Sequence, residues 1–133
     1  MINEYLNIKD NNKDIVIIIK YGLFYNAFNE DAIIISYLSN YKLFYNNDYL
    51  CVSFTDKSLY IVLTRLRVRN INYIVINKNN VEKYIGNVND YDIILKEASL
   101  VKEKDVLINK LIEKVKNLEI SKIKEILEIL ERK

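Results

Sequence analysis

Residues 20–32 read KYGLFYNAFNEDA, from Lys20 to Ala32. An unbroken apolar run, Ile15, Val16, Ile17, Ile18 and Ile19, leads into this stretch. A run without alternation is the pattern of a strand covered on both faces, so residues 15–20 are predicted to lie at the centre of a sheet. Gly22 breaks the run, and residues 23–28 form a second predicted strand. Side chains alternate across a strand, so Phe24, Asn26 and Phe28 share one face and Leu23, Tyr25 and Ala27 the other. Asn29 is a predicted helix N-cap, and Glu30 and Asp31 suit the first turn of that helix. An aromatic beside a tight turn can be presented at an edge or packed in the core. The residues alone leave both readings open for Phe24.

Working outward, residues 1–9 place Ile2, Tyr5, Leu6 and Lys9 at helical spacing, and residues 10–14 are polar and read as a loop. The helix opened at Asn29 is predicted to run over 29–40. Residues 42–45 and 49–54 form a predicted hairpin around Asn46, Asn47 and Asp48. Thr55 or Asp56 can cap a helix over 56–70, where Leu59, Val62, Leu63 and Leu66 make one apolar face. Arg65 and Arg69 share another stripe of that helix, and Arg67 lies off it. Residues 73–76 read as a buried strand, 80–84 as one helical turn and 91–96 as a strand. From Lys102 the chain turns to Lys, Glu, Leu and Ile with no aromatic. Two helical stripes there, broken near residues 117–121 with Ser121 as a cap, predict a helical hairpin or one bent helix. The expected organisation is an α+β domain over 1–100, with a mixed sheet of about five or six strands flanked by helices, and a helical C-terminal extension over 101–133.

The composition sets bounds on function. The chain has 133 residues, enough for one domain with a modest core. It has no Pro and 2 Gly, so Asn and Asp must make most of the turns, with candidates at 11–12, 46–48, 79–80 and 87–90. The net charge of +2 falls short of the basic balance usual in a nucleic-acid-binding domain, though it leaves room for a locally basic face. There is no His, which removes the commonest general base and metal ligand. The single Cys51 sits in an apolar run and reads as core. No Walker A pattern is present, and the close pair Asp90 and Asp92 is of a kind that Asn/Asp-rich loops produce freely. The expectation is a non-enzymatic protein without catalytic residues, metal or cofactor. With no signal peptide and no apolar run of membrane-spanning length, it is expected to be cytoplasmic.

The first 32 residues resemble the N-terminal mismatch-recognition domain, domain I, of the MutS DNA mismatch repair family. A helix carrying Tyr5, Leu6, Ile8 and Lys9, a loop with Asp14 and an apolar strand come first. The family motif Gly-Asp-Phe-Tyr-Glu-x-Phe-x-x-Asp-Ala then stands, without a gap, as Gly22-Leu23-Phe24-Tyr25-Asn26-Ala27-Phe28-Asn29-Glu30-Asp31-Ala32. Weaker similarity continues through Val52-Ser53-Phe54, Leu59-Tyr60-Ile61 and Asn72-Tyr73-Ile74-Val75-Ile76 to Ala98-Ser99, without the Gly and Pro that the family has at these places. It covers roughly residues 1–100. Nothing beyond resembles the connector, clamp or ATPase domains.

The resemblance implies a stand-alone DNA-binding module. The motif Phe stacks into the duplex at a mismatch from the minor groove, which assigns the wedge to Phe24. The motif Glu contacts the mispaired base, and Asn26 stands in its place. An Asn lacks the charge but can both donate and accept. Lys20 occupies a position that is commonly basic and is a candidate phosphate contact, as are Arg65, Arg67 and Arg69. Phosphate contacts give affinity and register without sequence information. Each residue also has a plainer reading: Phe24 as core, Asn26 as a solvated strand residue, Lys20 as the polar end of a strand, and Arg65 and Arg69 as the solvated face of a helix. The implied partner is mismatched or distorted double-stranded DNA. The alternative is a protein-interaction module that keeps the fold and joins partners, or copies of itself, through the C-terminal helices.

Overall fold

A computed structural model describes residues 1–78 and 80–132, and in it the apolar run becomes the middle of a six-stranded sheet. The elements in chain order are α1 (Ile2–Asp10), β1 (Val16–Tyr21), β2 (Phe24–Phe28), α2 (Asn29–Ser39), β3 (Phe44–Asn46), β4 (Tyr49–Thr55), α3 (Asp56–Val68), β5 (Tyr73–Asn77), β6 (Asn80–Tyr84), α4 (Tyr91–Lys116) and α5 (Ile120–Glu131). The strand order is β3-β4-β2-β1-β5-β6. Only β1 and β5 pair in parallel; every other neighbour is antiparallel. The fold is α+β with a mixed sheet, as the sequence predicts.

Val16, Ile17, Ile18 and Ile19 are all buried, because both faces of β1 are covered. On one face Val16 and Ile18 join Tyr25 and Ala27 of β2 against Ile34 and Ile35 of α2, Leu63 and Leu66 of α3 and Ile94 of α4. On the other, Ile17 and Ile19 pack with Phe28, Cys51, Ile74 and Tyr5 of α1. Burying an aliphatic side chain of this kind is worth about 1.5–3 kcal/mol, so β1 concentrates much of the stability.

Between these layers lies a buried carboxylate. Asp31, in the first turn of α2, is fully buried. It accepts hydrogen bonds from the Tyr5 hydroxyl, from the Ile17 N–H at 3.1 Å, from Lys9 Nζ at 2.8 Å and from the Tyr91 hydroxyl at 2.7 Å. Lys9 also donates to the Ile15 carbonyl at 2.6 Å. A buried charge is tolerable only when paired and hydrogen-bonded, and here one carboxylate ties α1, β1, α2 and α4 together.

Asn does supply the left-handed turns. Asn29, Asn40, Asn47 and Asn70 have positive φ, joined among the described residues by Lys78 and Gly22. Asn29 is therefore not the N-cap of α2: Phe28 holds that position, and the Asn29 side chain accepts the Leu50 N–H at 3.3 Å. The expected turn at 79–80 involves Asn79, which lies outside the described residues.

Further expectations of local structure are corrected. Residues 80–84 are a strand, not a helical turn: β6 pairs with β5, and Tyr84 stacks on Tyr73 with ring centroids 5.6 Å apart. Its exposed Val81, Glu82 and Lys83 suit an edge strand, whose charges discourage pairing with other chains. Residues 91–96 are not a strand but the start of α4. Tyr91, Ile94 and Ala98 are its buried residues, a helical spacing that a six-residue window conceals. α4 crosses position 100 without a break. The tail breaks where expected, between Lys116 and Ile120, but among the described residues α5 has no extensive packing against α4 or any other element, so the hairpin reading falls. The N-cap of α5 is Glu119, with Ser121 inside the first turn.

Candidate nucleic-acid interface

β1 and β2 are joined by Gly22 and Leu23 alone, with Tyr21 paired to Phe24 across the hairpin. Gly22 has φ of 65°, a conformation that strains any residue with a Cβ. The two-residue turn makes a tip in which three apolar side chains face solvent: Tyr21 is 65 % exposed, Leu23 80 % and Phe24 48 %. Beneath it Tyr25 is buried against Phe54. Phe24 is thus presented, and the core reading of this residue falls. Leu23 belongs to the turn rather than to the strand.

Lys20 stands beside the tip. Its ammonium lies 3.0 Å from Asp56 Oδ1 and 5.3 Å from the centre of the Tyr25 ring. It is therefore paired to the first turn of α3. A small cleft of about 160 Å³ between the β1–β2 and β5–β6 ends is lined by Lys20, Gly22, Asn77 and Lys78.

Asn26 lies under the tip and is buried, not solvated. Its Oδ1 accepts the Ser53 hydroxyl at 2.6 Å, and its Nδ2 donates to the carbonyls of Phe24 at 3.1 Å and Ile19 at 3.4 Å. The amide is occupied within the fold, and what it holds is the backbone of Phe24. This arrangement suits a residue that positions the ring.

The arginines lie elsewhere. Phe24 pairs with Thr55, the residue just before α3. At 1.5 Å per residue, Arg65 is about 14 Å along that helix from Asp56. Arg65 donates to the Leu38 carbonyl at 2.7 Å, and Arg67 to the Tyr73 hydroxyl at 2.6 Å. Arg69 meets Glu97 at 2.8 Å, and the same carboxylate accepts the Tyr37 hydroxyl. These two partners, Tyr37 first, hold the Glu97 carboxyl below the usual carboxylate range. Arg65 and Arg69 therefore fasten α3 to α2 and α4. The structure brings Phe24, Asn26 and Lys20 together and leaves both arginines apart from them.

Sequence reasoning passed over Tyr21, Leu23 and Lys78 at the tip. The available signal was the length of the turn: with two residues between paired strands, whatever follows the Gly must project. Among the described residues no group of His, Cys, Asp or Glu could hold a metal ion, and no helix is long and apolar enough to cross a membrane.

The tip follows the motif that suggested a family, and the comparison at family level agrees with it. The sequence model for MutS domain I matches residues 1–123 of the chain. The chain belongs to the MutS domain I family. Its six-stranded mixed sheet is consistent with that fold, and at family level it is a MutS-like mismatch-recognition domain. The match extends past the 1–100 expected from the motifs and takes in all of α4 (Tyr91–Lys116). No curated protein matches the chain.

Proposed function

We propose that this MutS domain I is a non-enzymatic, cytoplasmic DNA-binding module that inserts Phe24 into mismatched or distorted duplex. The observation that carries the reading is the half-exposed Phe24 ring on a two-residue turn, within a family motif and held from beneath by Asn26. An apolar ring entering a base step must unstack it, at a few kcal/mol, and the cost is least where pairing is already faulty. Recognition then follows from deformability, with Phe24 as the wedge and Asn26 as its support. Lys20 and Lys78, which line the cleft beside Gly22, are the phosphate contacts of this reading. Two such contacts give weak, salt-sensitive affinity.

The test is binding at low salt to a short duplex with one mismatch and to its fully paired counterpart, using the wild type and Phe24→Ala. Tighter binding to the mismatch that disappears in the variant is the expected result. Equal binding to both duplexes reduces the protein to a phosphate binder. No binding by the folded protein favours the rival reading of a protein-interaction module, which the internal engagement of Asn26, Arg65 and Arg69 supports.

A further inference from the structure

Independently of the DNA reading, α5 poses a question of its own. None of its residues is buried, and Ile120, Leu127 and Leu130 are 71 %, 52 % and 62 % exposed. A helix of 12 residues is marginal in water without a surface to pack on. Ile120, Ile123, Leu127 and Leu130 recur at alternating steps of three and four, the a/d seam of a coiled coil.

The charges of α5 fall into two groups. On its far side they are satisfied along the helix, Lys122 with Glu125 at 3.7 Å and Arg132 with Glu128 at 3.9 Å. Lys124 and Glu131 border one edge of the apolar seam, seven residues apart, and neither forms an ion pair among the described residues. In heptad terms both occupy e positions. In an antiparallel pair of helices, e positions face e positions.

We propose that α5 pairs antiparallel with α5 of a second copy of this chain. In the register that sets Ile120 beside Leu130 of the second copy and Ile123 beside its Leu127, the two-fold axis passes at the level of residue 125, and Ile126 and its counterpart flank it. The same register sets Lys124 beside Glu131 of the second copy, and the symmetry makes this contact twice. A parallel pair would instead face Lys124 with Glu119 and leave Glu131 against Ile126. Both orientations give Lys124 an acidic partner, but only the antiparallel one also gives Glu131 a cation and Ile126 an apolar neighbour, and that selects it.

The test is sedimentation of the full chain over a concentration series at low salt, with circular dichroism to check that each variant is folded. The wild type is expected to form a dimer. Lys124→Glu alone and Glu131→Lys alone should each weaken it by about tenfold, the size expected from turning two edge attractions into repulsions. The doubly exchanged K124E/E131K chain should dimerise like the wild type. A wild type that stays monomeric overturns the proposal, and so does a dimer indifferent to the single exchanges. Failure of the double exchange to restore pairing also overturns it, because that is the behaviour of a parallel pair.

Discussion

The Ser53 hydroxyl donates to the Asn26 carboxamide oxygen at 2.6 Å, completing an amide orientation that two carbonyls on its other side dictate. The carbonyls of Ile19 and Phe24 can only accept, so the amide nitrogen must point at them and the oxygen at β4. A Glu at this position would aim acceptors at those same carbonyls from a nearly buried site. Asn26→Glu is therefore expected to destabilise the fold by about 2 kcal/mol or more, read from the urea midpoint. An unchanged midpoint would mean that the longer side chain escapes to solvent, and the supporting role assigned to Asn26 would be lost.

Asp31 offers a second test. Removing one partner of a buried, hydrogen-bonded pair typically costs about 3–5 kcal/mol, because the charge left behind has no compensation. Asp31→Ala takes the counter-ion from Lys9 and an acceptor from each of the Tyr5 and Tyr91 hydroxyls, and should fall in that range by chemical or thermal unfolding. Adding Lys9→Met should recover part of the loss. If the double variant is no more stable than the single one, the stranded ammonium is not the main cost.

The same network governs alkaline stability. Burial first, and then the Asp31 charge, push the Tyr5 and Tyr91 hydroxyls well above their ordinary value. Burial also pushes the Cys51 thiol up to about 11. In each case the folded state keeps a proton that the unfolded chain has lost. Stability is therefore flat below the unfolded values and falls as pH rises past them, first from Cys51 and then from the tyrosines. Above about pH 10 each tyrosine adds a slope of about 1.4 kcal/mol per pH unit. Tyr5→Phe should remove one such slope from a plot of the urea midpoint against pH. An unchanged slope would contradict the assignment.

At the tip, Asp56 holds the cation that the DNA reading needs. Asp56→Asn should release Lys20, tighten binding to any duplex several-fold at low salt and steepen the salt dependence by about one phosphate contact. The gain should be equal for matched and mismatched DNA, since a phosphate contact carries no base information. A gain confined to the mismatch, or none at all, would remove Lys20 from the interface.

These predictions rest on residues of uneven legibility. The central strand was plain because five apolar residues in succession fit little else in so small a domain. The place of the turn was legible in Gly22, but the exposure of Tyr21, Leu23 and Phe24 was not, because alternation shows which residues share a face and not whether that face is covered. β6 was hidden because its partner strand, not its own residues, supplies the preference for extended backbone, as edge strands often require. The start of α4 was hidden because Tyr91, Ile94 and Ala98 reveal their period only over eight residues. The arginines misled for a related reason. Spacing on α3 shows which side chains share a stripe, but not that Leu38 and Glu97 stand opposite them. The polar partners of a side chain come from tertiary structure, and local pattern carries no record of them.

The brevity of the β1–β2 turn has a kinetic consequence. A loop with only Gly22 and Leu23 between paired residues has no slack to take up, so in the proposed reading Phe24 would meet the duplex already oriented. Little ordering on the protein side would then remain to slow the encounter, and the slow step would move to the duplex. Association rates across a set of substrates would then follow how readily each base step opens.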